Sequence, residues 1–344
     1  MGWKETPSKI KVLVVDDSLF MRKAISSLLN SDPKISVIGT AKDGEEALQK
    51  ISELNPDVIT LDIEMPRMDG LTTLKEIMRR NPLPVIMLSA LTKEGAKETF
   101  TALEYGAVDY VLKPSGTVSL DLKLVKDQLI AKIKTAALTK PTMHKAIKPG
   151  TVAKSFDAED KVIAMGASTG GPQALTEILS RLPEDIPPTL IIQHMPEGFT
   201  RFFAEHLDEK CQFKVKEAEN GDRISRGLAL VAPGGYHMLV QKNGRILLDK
   251  GPRVHNVRPA VDPMMFSVAE AYGSKVVGVL LTGMGKDGAK GMKAIKKKGG
   301  TTIAQDEKTC VVFGMPKAAI EEGCVDVVLP LHKIPIEIVR RCRE

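Results

Sequence analysis

Short apolar strands alternating with amphipathic helices run through this 344-residue chain in two separate stretches, and that alternation restricts the fold more than any other feature. The first stretch opens with the buried-strand pattern KVLVVDD, followed by Met21, Ile25, Leu28 and Leu29 at helical spacing. DVITLDIEMP is a further strand; Leu71, Leu74, Ile77 and Met78 repeat the helical stripe; PVIMLSA and DYVLKP supply two more strands. Strand and helix in strict alternation predict a parallel sheet covered on both faces. Over residues 135–158 the pattern dissolves into prolines and scattered lysines, which reads as an interdomain linker. Alternation resumes with KVIAMGAS, then Leu175, Ile178, Leu179 and Leu182 on one helical face, TLIIQHM, a helix marked by Phe199, Phe203 and Leu207, and the later strands KVVGVLLTG and TTIAQD. The expectation is two doubly wound α/β domains, at residues 1–134 and 159–344.

Composition narrows the class. The longest apolar runs, such as VVGVLL, are far shorter than a membrane span, and the first residues hold no apolar leader, so membrane insertion and secretion are not expected. Cys211, Cys310, Cys324 and Cys342 form neither a CxxC pair nor a dense disulfide frame, as befits reduced thiols in a cytoplasmic protein. The net charge of +6 is spread along the chain, and KAIKKKGG reads as one solvated helix face rather than a nucleic-acid patch. No nucleic acid is expected as a partner.

In doubly wound sheets ligands gather at the carboxyl ends of the strands. In the first half those ends carry Asp16 and Asp17, Asp62, Ser89 and Lys113. Three carboxylates on one sheet edge repel one another unless a hard cation such as magnesium sits among them. A lysine and a hydroxyl beside them could hold phosphoryl oxygens, and an aspartate can itself form an acyl phosphate. Taken singly, a strand-end aspartate more often caps the next helix. The motifs VVDDS, LDIEMPRMDG, LSA and KP together resemble the receiver domain of two-component response regulators over roughly residues 9–130. That resemblance implies a five-stranded flavodoxin-like sheet, Asp62 as phosphoacceptor, and Asp16 and Asp17 with it at the magnesium site. It also implies Ser89 as the switch hydroxyl, Lys113 as the phosphate-binding lysine, and a histidine kinase as phosphodonor.

In the second half, Gly166-Ala167-Ser168-Thr169-Gly170 fits G-x-S-x-G between a strand and a helix, as a nucleophile elbow requires. Neither a P-loop lysine nor the dinucleotide G-x-G-x-x-G spacing is present, but an anion-binding turn or a plain structural turn stays open on the motif alone. A serine nucleophile needs a base, and the base an orienting acid. His194 ends the next strand after Ser168, one right-handed crossover away. His237 and His255 lie in turn-rich segments and stay open by position. For the acid, Asp287 follows the strand KVVGVLL among glycines, with capping of its own helix as the alternative and Asp306 as rival. Glycines around Met284 would let backbone N–H groups approach a substrate oxygen.

The motifs GASTGGP, QHMP, APGGYHM, RPAVD and LLTGMGKDG make residues from about 159 to 344 resemble the catalytic domain of chemotaxis protein-glutamate methylesterases. The resemblance implies a Rossmann-like serine hydrolase with Ser168 as nucleophile, His194 as base, Asp287 as orienting acid and the Met284 N–H as oxyanion donor. It implies demethylation of glutamate γ-methyl esters on methyl-accepting chemoreceptors, with deamidation of receptor glutamines. Magnesium is then needed for receiver phosphorylation and no cofactor for ester hydrolysis. A cytoplasmic monomer is expected. Two other classes remain in view. A DNA-binding response regulator would carry a small helical reader in place of the second α/β domain. A phosphorylation-responsive scaffold without catalysis would keep the fold but tolerate loss of Ser168.

Overall fold

The computed structural model describes residues 9–113, 119–139 and 161–344, with the side chains of the helix that starts at Ser119 described from residue 125 onward. The chain divides into two compact units, Met1–Lys145 and Ala146–Glu344. The expected linker lies largely outside the described residues, and its first two positions, Thr135 and Ala136, still close a helix.

The first unit runs β1 (Ile10–Val15), α1 (Leu19–Asn30), β2 (Ile35–Ala41), α2 (Gly44–Leu54), β3 (Val58–Asp62), α3 (Gly70–Arg80), β4 (Val85–Ser89), α4 (Lys93–Glu104), β5 (Asp109–Leu112) and α5 (Ser119–Ala136). All strands are parallel, in the order β2-β1-β3-β4-β5. The apolar runs are continuous because helices cover both faces: every residue of β3 and β4 is buried. Ser18, Asp43, Asp69 and Thr92 each accept a backbone N–H in the first turn of α1, α2, α3 and α4. Such caps stabilise a helix by about 1 kcal/mol each. The cap of α1 is therefore Ser18, so Asp16 and Asp17 are not needed for that task.

The second unit continues with β6 (Val162–Ala167), α6 (Gly171–Leu179), β7 (Thr189–Gln193), α7 (Phe199–Lys210), β8 (Lys214–Glu217), β9 (Leu228–Val231), β10 (His237–Val240), β11 (Ile246–Asp249), α8 (Val261–Tyr272), β12 (Val276–Leu280), α9 (Ala289–Lys297), β13 (Thr301–Gln305), α10 (Met315–Glu321), β14 (Val327–Leu329) and α11 (Ile334–Arg343). Seven strands form a parallel sheet in the order β14-β13-β12-β6-β7-β9-β8. Here β6 lies between β7, reached at once through α6, and β12, which arrives more than a hundred residues later. That reversal is a topological switch point, where the carboxyl ends of adjacent strands open a crevice. The strand–helix pattern missed β10 and β11, a separate antiparallel hairpin that packs on α8, because four-residue strands joined by a tight turn carry little periodicity. The core beneath α8 and α9 is built from Met264, Met265, Val268, Met292 and Ile295. The lysines of KAIKKKGG lie on and just after α9, where Lys296 and Lys298 pair with Asp326 and Glu270, as a solvated face would. Among the described residues no helix is long and apolar enough to cross a membrane.

Candidate functional site

Ser168 directly follows β6, and the chain turns there into α6. Its N–H donates to Thr282 O at 3.0 Å, and its carbonyl accepts from Gly171 N at 2.7 Å and Gln193 Nε2 at 2.9 Å. Gly170 closes the turn at φ +76°, a conformation that L side chains rarely adopt, and a Cβ there would strike Val311 at 2.6 Å. The Ser168 turn is thus sharp and pinned by its neighbours. Ser168 itself is half-buried, and among the described residues its hydroxyl makes no hydrogen bond.

His194 follows β7, the neighbouring strand, with its N–H on Ala167 O. Its Nε2 lies 2.8 Å from Asp287 Oδ2. Asp287 is 2 % exposed, and its two oxygens also accept Val261 N at 2.6 Å and Asp262 N at 3.0 Å. Burial alone would push this carboxyl up. The His194 hydrogen bond and charge, with the two N–H donors, outweigh it and hold the group below its ordinary value of 3.8. An ionised Asp287 can only accept, so Nε2 carries a proton toward it, and the tautomer able to act as a base has its lone pair on Nδ1.

The local alternative for Asp287, capping the helix just after it, does not hold: Gly288 is the cap residue of α9, with no side-chain bond. Asp287 instead satisfies the first N–H groups of α8, whose own cap position is Ala260 and provides no side-chain acceptor. Asp306 accepts from the Thr309 N–H and hydroxyl, which makes it a loop brace. His237 is buried with both ring nitrogens engaged, by Pro252 O at 3.0 Å and Ala260 N at 3.3 Å, and so has no free nitrogen to serve as base. His255 pairs with Asp262 at 3.0 Å. Pattern reading assigned no role to Asp262, although the RPAVD motif contains it.

His255, Asp262 and Asp287 bring one ligand atom each within 4.8 Å of one another. Every carboxylate oxygen of the pair already accepts a hydrogen bond: Asp262 takes His255 and Gly291 N, and Asp287 takes His194, Val261 N and Asp262 N. This arrangement orients imidazoles and caps a helix; it does not have the open oxygens of a cation site. Met284 stands on the loop after β12, 46 % exposed. The preceding Gly283 passes so close to the Ser168 turn that a Cβ there would lie 2.7 Å from Ser168 Cβ.

The first unit gathers its own cluster. Asp16, Asp17 and Asp62 bring carboxylate oxygens within 4.8 Å of one another. Lys113 Nζ lies 2.6 Å from Asp62 Oδ2 and 3.1 Å from Asp16 Oδ2, and among the described residues these two buried oxygens have no other hydrogen-bond donor. Burial pushes the Asp62 carboxyl up to about 6, with Lys113 opposing and Asp16 adding to the rise. An open cavity of about 550 Å³ lies above, lined by Asp17, Asp62, Glu64, Asp69, Glu98 and Lys113 among others. An all-oxygen donor set with spare lone pairs and an acidic rim fits a hard divalent cation. Ser89 does not bond to this group; its hydroxyl accepts from Thr99 on α4 at 2.7 Å.

Residues 163–338 match the CheB methylesterase family, and residues 12–125 match the response regulator receiver domain. A protein-glutamate methylesterase/protein-glutamine glutaminase of Pyrococcus horikoshii is 53 % identical over 96 % of this chain and 93 % of its own length. One of the same description from Symbiobacterium thermophilum is 51 % identical over 97 % of this chain and 98 % of its own. The crystal structure of the Thermotoga maritima CheB methylesterase catalytic domain, 48 % identical, superposes with a TM-score of 0.52, covering 53 % of this chain and 98 % of that one. With a receiver fold, a serine-bearing switch point and 51–53 % identity over nearly the whole chain all in agreement, this chain belongs to the protein-glutamate methylesterase/protein-glutamine glutaminase family of receiver-linked hydrolases.

Proposed function

We propose that Ser168, His194 and Asp287 form the catalytic triad of a phosphorylation-regulated esterase acting on glutamate γ-methyl esters of chemoreceptors. The observation that carries the reading is the His194–Asp287 pair at 2.8 Å, contributed by the segments that follow β7 and β12, the two strands flanking β6. Ser168 Oγ attacks the ester carbonyl while His194 Nδ1 takes its proton, and Asp287 stabilises the resulting imidazolium. The tetrahedral oxyanion is held by the Met284 N–H, on the loop that Gly283 brings beside Ser168. His194 returns the proton to the departing methanol. Water, activated by the same nitrogen, then releases the glutamate from the acyl-enzyme. A receptor glutamine follows the same path with ammonia as leaving group.

In the receiver, Asp62 is the phosphoacceptor: its carboxylate attacks the phosphorus of a donor, which a histidine kinase provides in the cell. Asp16, Asp17 and Asp62 would hold magnesium, which offsets the charge of the incoming phosphoryl group when bound. Lys113 is placed to pair with phosphoryl oxygens, and Ser89 would leave Thr99 to do the same. Cytoplasmic receptor helices as substrate place the enzyme in the cytoplasm, in keeping with its unpaired cysteines. The monomeric state is part of the same proposal.

The test is methanol release from methylated receptor membranes, with and without magnesium and acetyl phosphate. Ser168→Ala should remove nearly all release while the thermal unfolding curve stays in place. Release at the wild-type rate by that variant would end the triad assignment and leave a scaffold.

A further inference from the structure

Thr282, two residues past the end of β12, is bonded to both sides of the nucleophile turn and to the segment behind the oxyanion loop. Its carbonyl accepts Ser168 N at 3.0 Å, and its hydroxyl donates to Thr169 O at 2.9 Å. The same hydroxyl accepts Val312 N at 2.9 Å. Its own N–H is taken by the side chain of Gln305, at the end of β13, at 2.8 Å. Gln305 is fully buried and is fixed in turn by its Nε2–H on Thr309 O at 2.8 Å. Gly283, the next residue, donates to Val312 O and accepts from Gly314 N and Met315 N. Thr282 is 1 % exposed, so neither water nor substrate reaches its side chain.

We infer that Thr282 is a positioning residue that holds the Ser168 turn and the 283–285 loop in one fixed relation, with Gln305 locking it from the neighbouring strand. The inference rests on the reading of Ser168 as nucleophile and the Met284 N–H as oxyanion donor. For attack, the reacting carbon must meet Oγ while its oxygen meets the donor, each at about 3 Å, and a 1 Å misplacement can cost about a hundredfold in rate. Those two groups stand on turns that follow different strands, β6 and β12, and such turns are free to shift. Thr282 removes that freedom, because its carbonyl holds Ser168 N while its hydroxyl bridges Thr169 O and Val312 N. It touches no reacting atom, so its loss should lower turnover and leave substrate affinity nearly intact.

Thr282→Val keeps the shape and deletes the hydroxyl; Thr282→Ser keeps the hydroxyl and deletes the methyl group. In the full chain treated with magnesium and acetyl phosphate, kcat on p-nitrophenyl acetate should fall about 10- to 100-fold in Thr282→Val, with KM within about threefold. Thr282→Ser should restore kcat to within about threefold of wild type. Gln305→Met, which frees the Thr282 N–H without altering Thr282, should show the same kcat-only loss and serves as the test should Thr282→Val fail to fold. A wild-type kcat in a folded Thr282→Val or Gln305→Met protein would overturn the inference. So would a loss confined to KM, or a Thr282→Ser defect as large as that of valine. A fluorophosphonate that labels Ser168 in the wild type separates this failure from that of the function itself. No labelling and no hydrolysis by the wild type would refute the esterase reading, whereas equal labelling rates in wild type and Thr282→Val would refute only the positioning role.

Discussion

Asp287 carries two tasks that a single amide cannot share: it orients His194 and it caps α8. Asp287→Asn places an NH₂ group where one of three donors now points, so either the imidazole or a helix N–H loses its acceptor. Turnover should fall by about 10²- to 10⁴-fold, in the range of other triad aspartates, and stability by about 1–2 kcal/mol. Because the folded pKa lies below the ordinary 3.8, the wild-type stability advantage is present above that value and lost as pH falls through the folded one. Urea titrations at pH 7 and near pH 3 should show the gap between wild type and variant narrowing with acid. Asp62 has the opposite sign. Its carboxyl is raised to about 6, so the neutral form is favoured in the fold, and the ionised form at pH 7 weakens the metal-free receiver. Asp62→Asn should therefore abolish labelling by acetyl phosphate and also raise metal-free receiver stability at pH 7 by about 2–3 kcal/mol. Lys113 would keep Asp16 as its partner. A lowered unfolding midpoint would contradict the account of that cluster.

At the scale of elements, the place of Asp287 depends on where α8 begins. Gly166 in β6 lets α8 sit close: a Cβ there would lie 2.5 Å from Val261 Cγ1 and 2.7 Å from Val261 Cγ2. Val261 and Asp262 are the residues whose N–H groups hold Asp287. Gly166→Ala should thus move the α8 N-terminus outward, costing about 1–3 kcal/mol by overpacking and lowering kcat in the same variant. Calorimetry and ester hydrolysis on one preparation would check both, and a loss of stability with unchanged kcat would uncouple α8 from the triad. The glycines of G-x-S-x-G accordingly act differently: Gly166 admits a helix, whereas Gly170 makes the turn. The strand-end residues Asp16, Asp17, Asp62, Lys113, Ser168 and His194 were all legible from strand and helix periodicity, since parallel strands put their carboxyl ends on one edge. Gln193, Thr282 and Gln305 were not, because a polar residue ending an apolar strand carries no mark of the partner it will meet.

For the whole molecule, one chain carries both a receiver fold and a methylesterase fold, and covalent linkage of two modules in one chain typically gives an effective concentration of order millimolar. Regulation then needs only a small difference in free energy between receiver states: about 1.4 kcal/mol shifts a restrained-to-active ratio tenfold. A fragment starting near Phe156 should demethylate receptors faster than the unphosphorylated full chain, and acetyl phosphate should accelerate only the full chain. Equal basal rates would rule out restraint by the receiver.

What the sequence by itself determined was the class of fold, the two α/β units and the edge of each sheet on which chemistry gathers. Hydrophobic period and glycine placement are local properties, readable within a dozen residues. Which strand lies beside which was decided only in three dimensions. The order that sets β12 next to β6 brings Thr282 to Ser168 across more than a hundred residues, and it turns an aspartate that locally resembles the cap of α9 into the cap of α8 and the partner of His194. Those bonds depend on packing between distant elements, and packing is not written in any one of them.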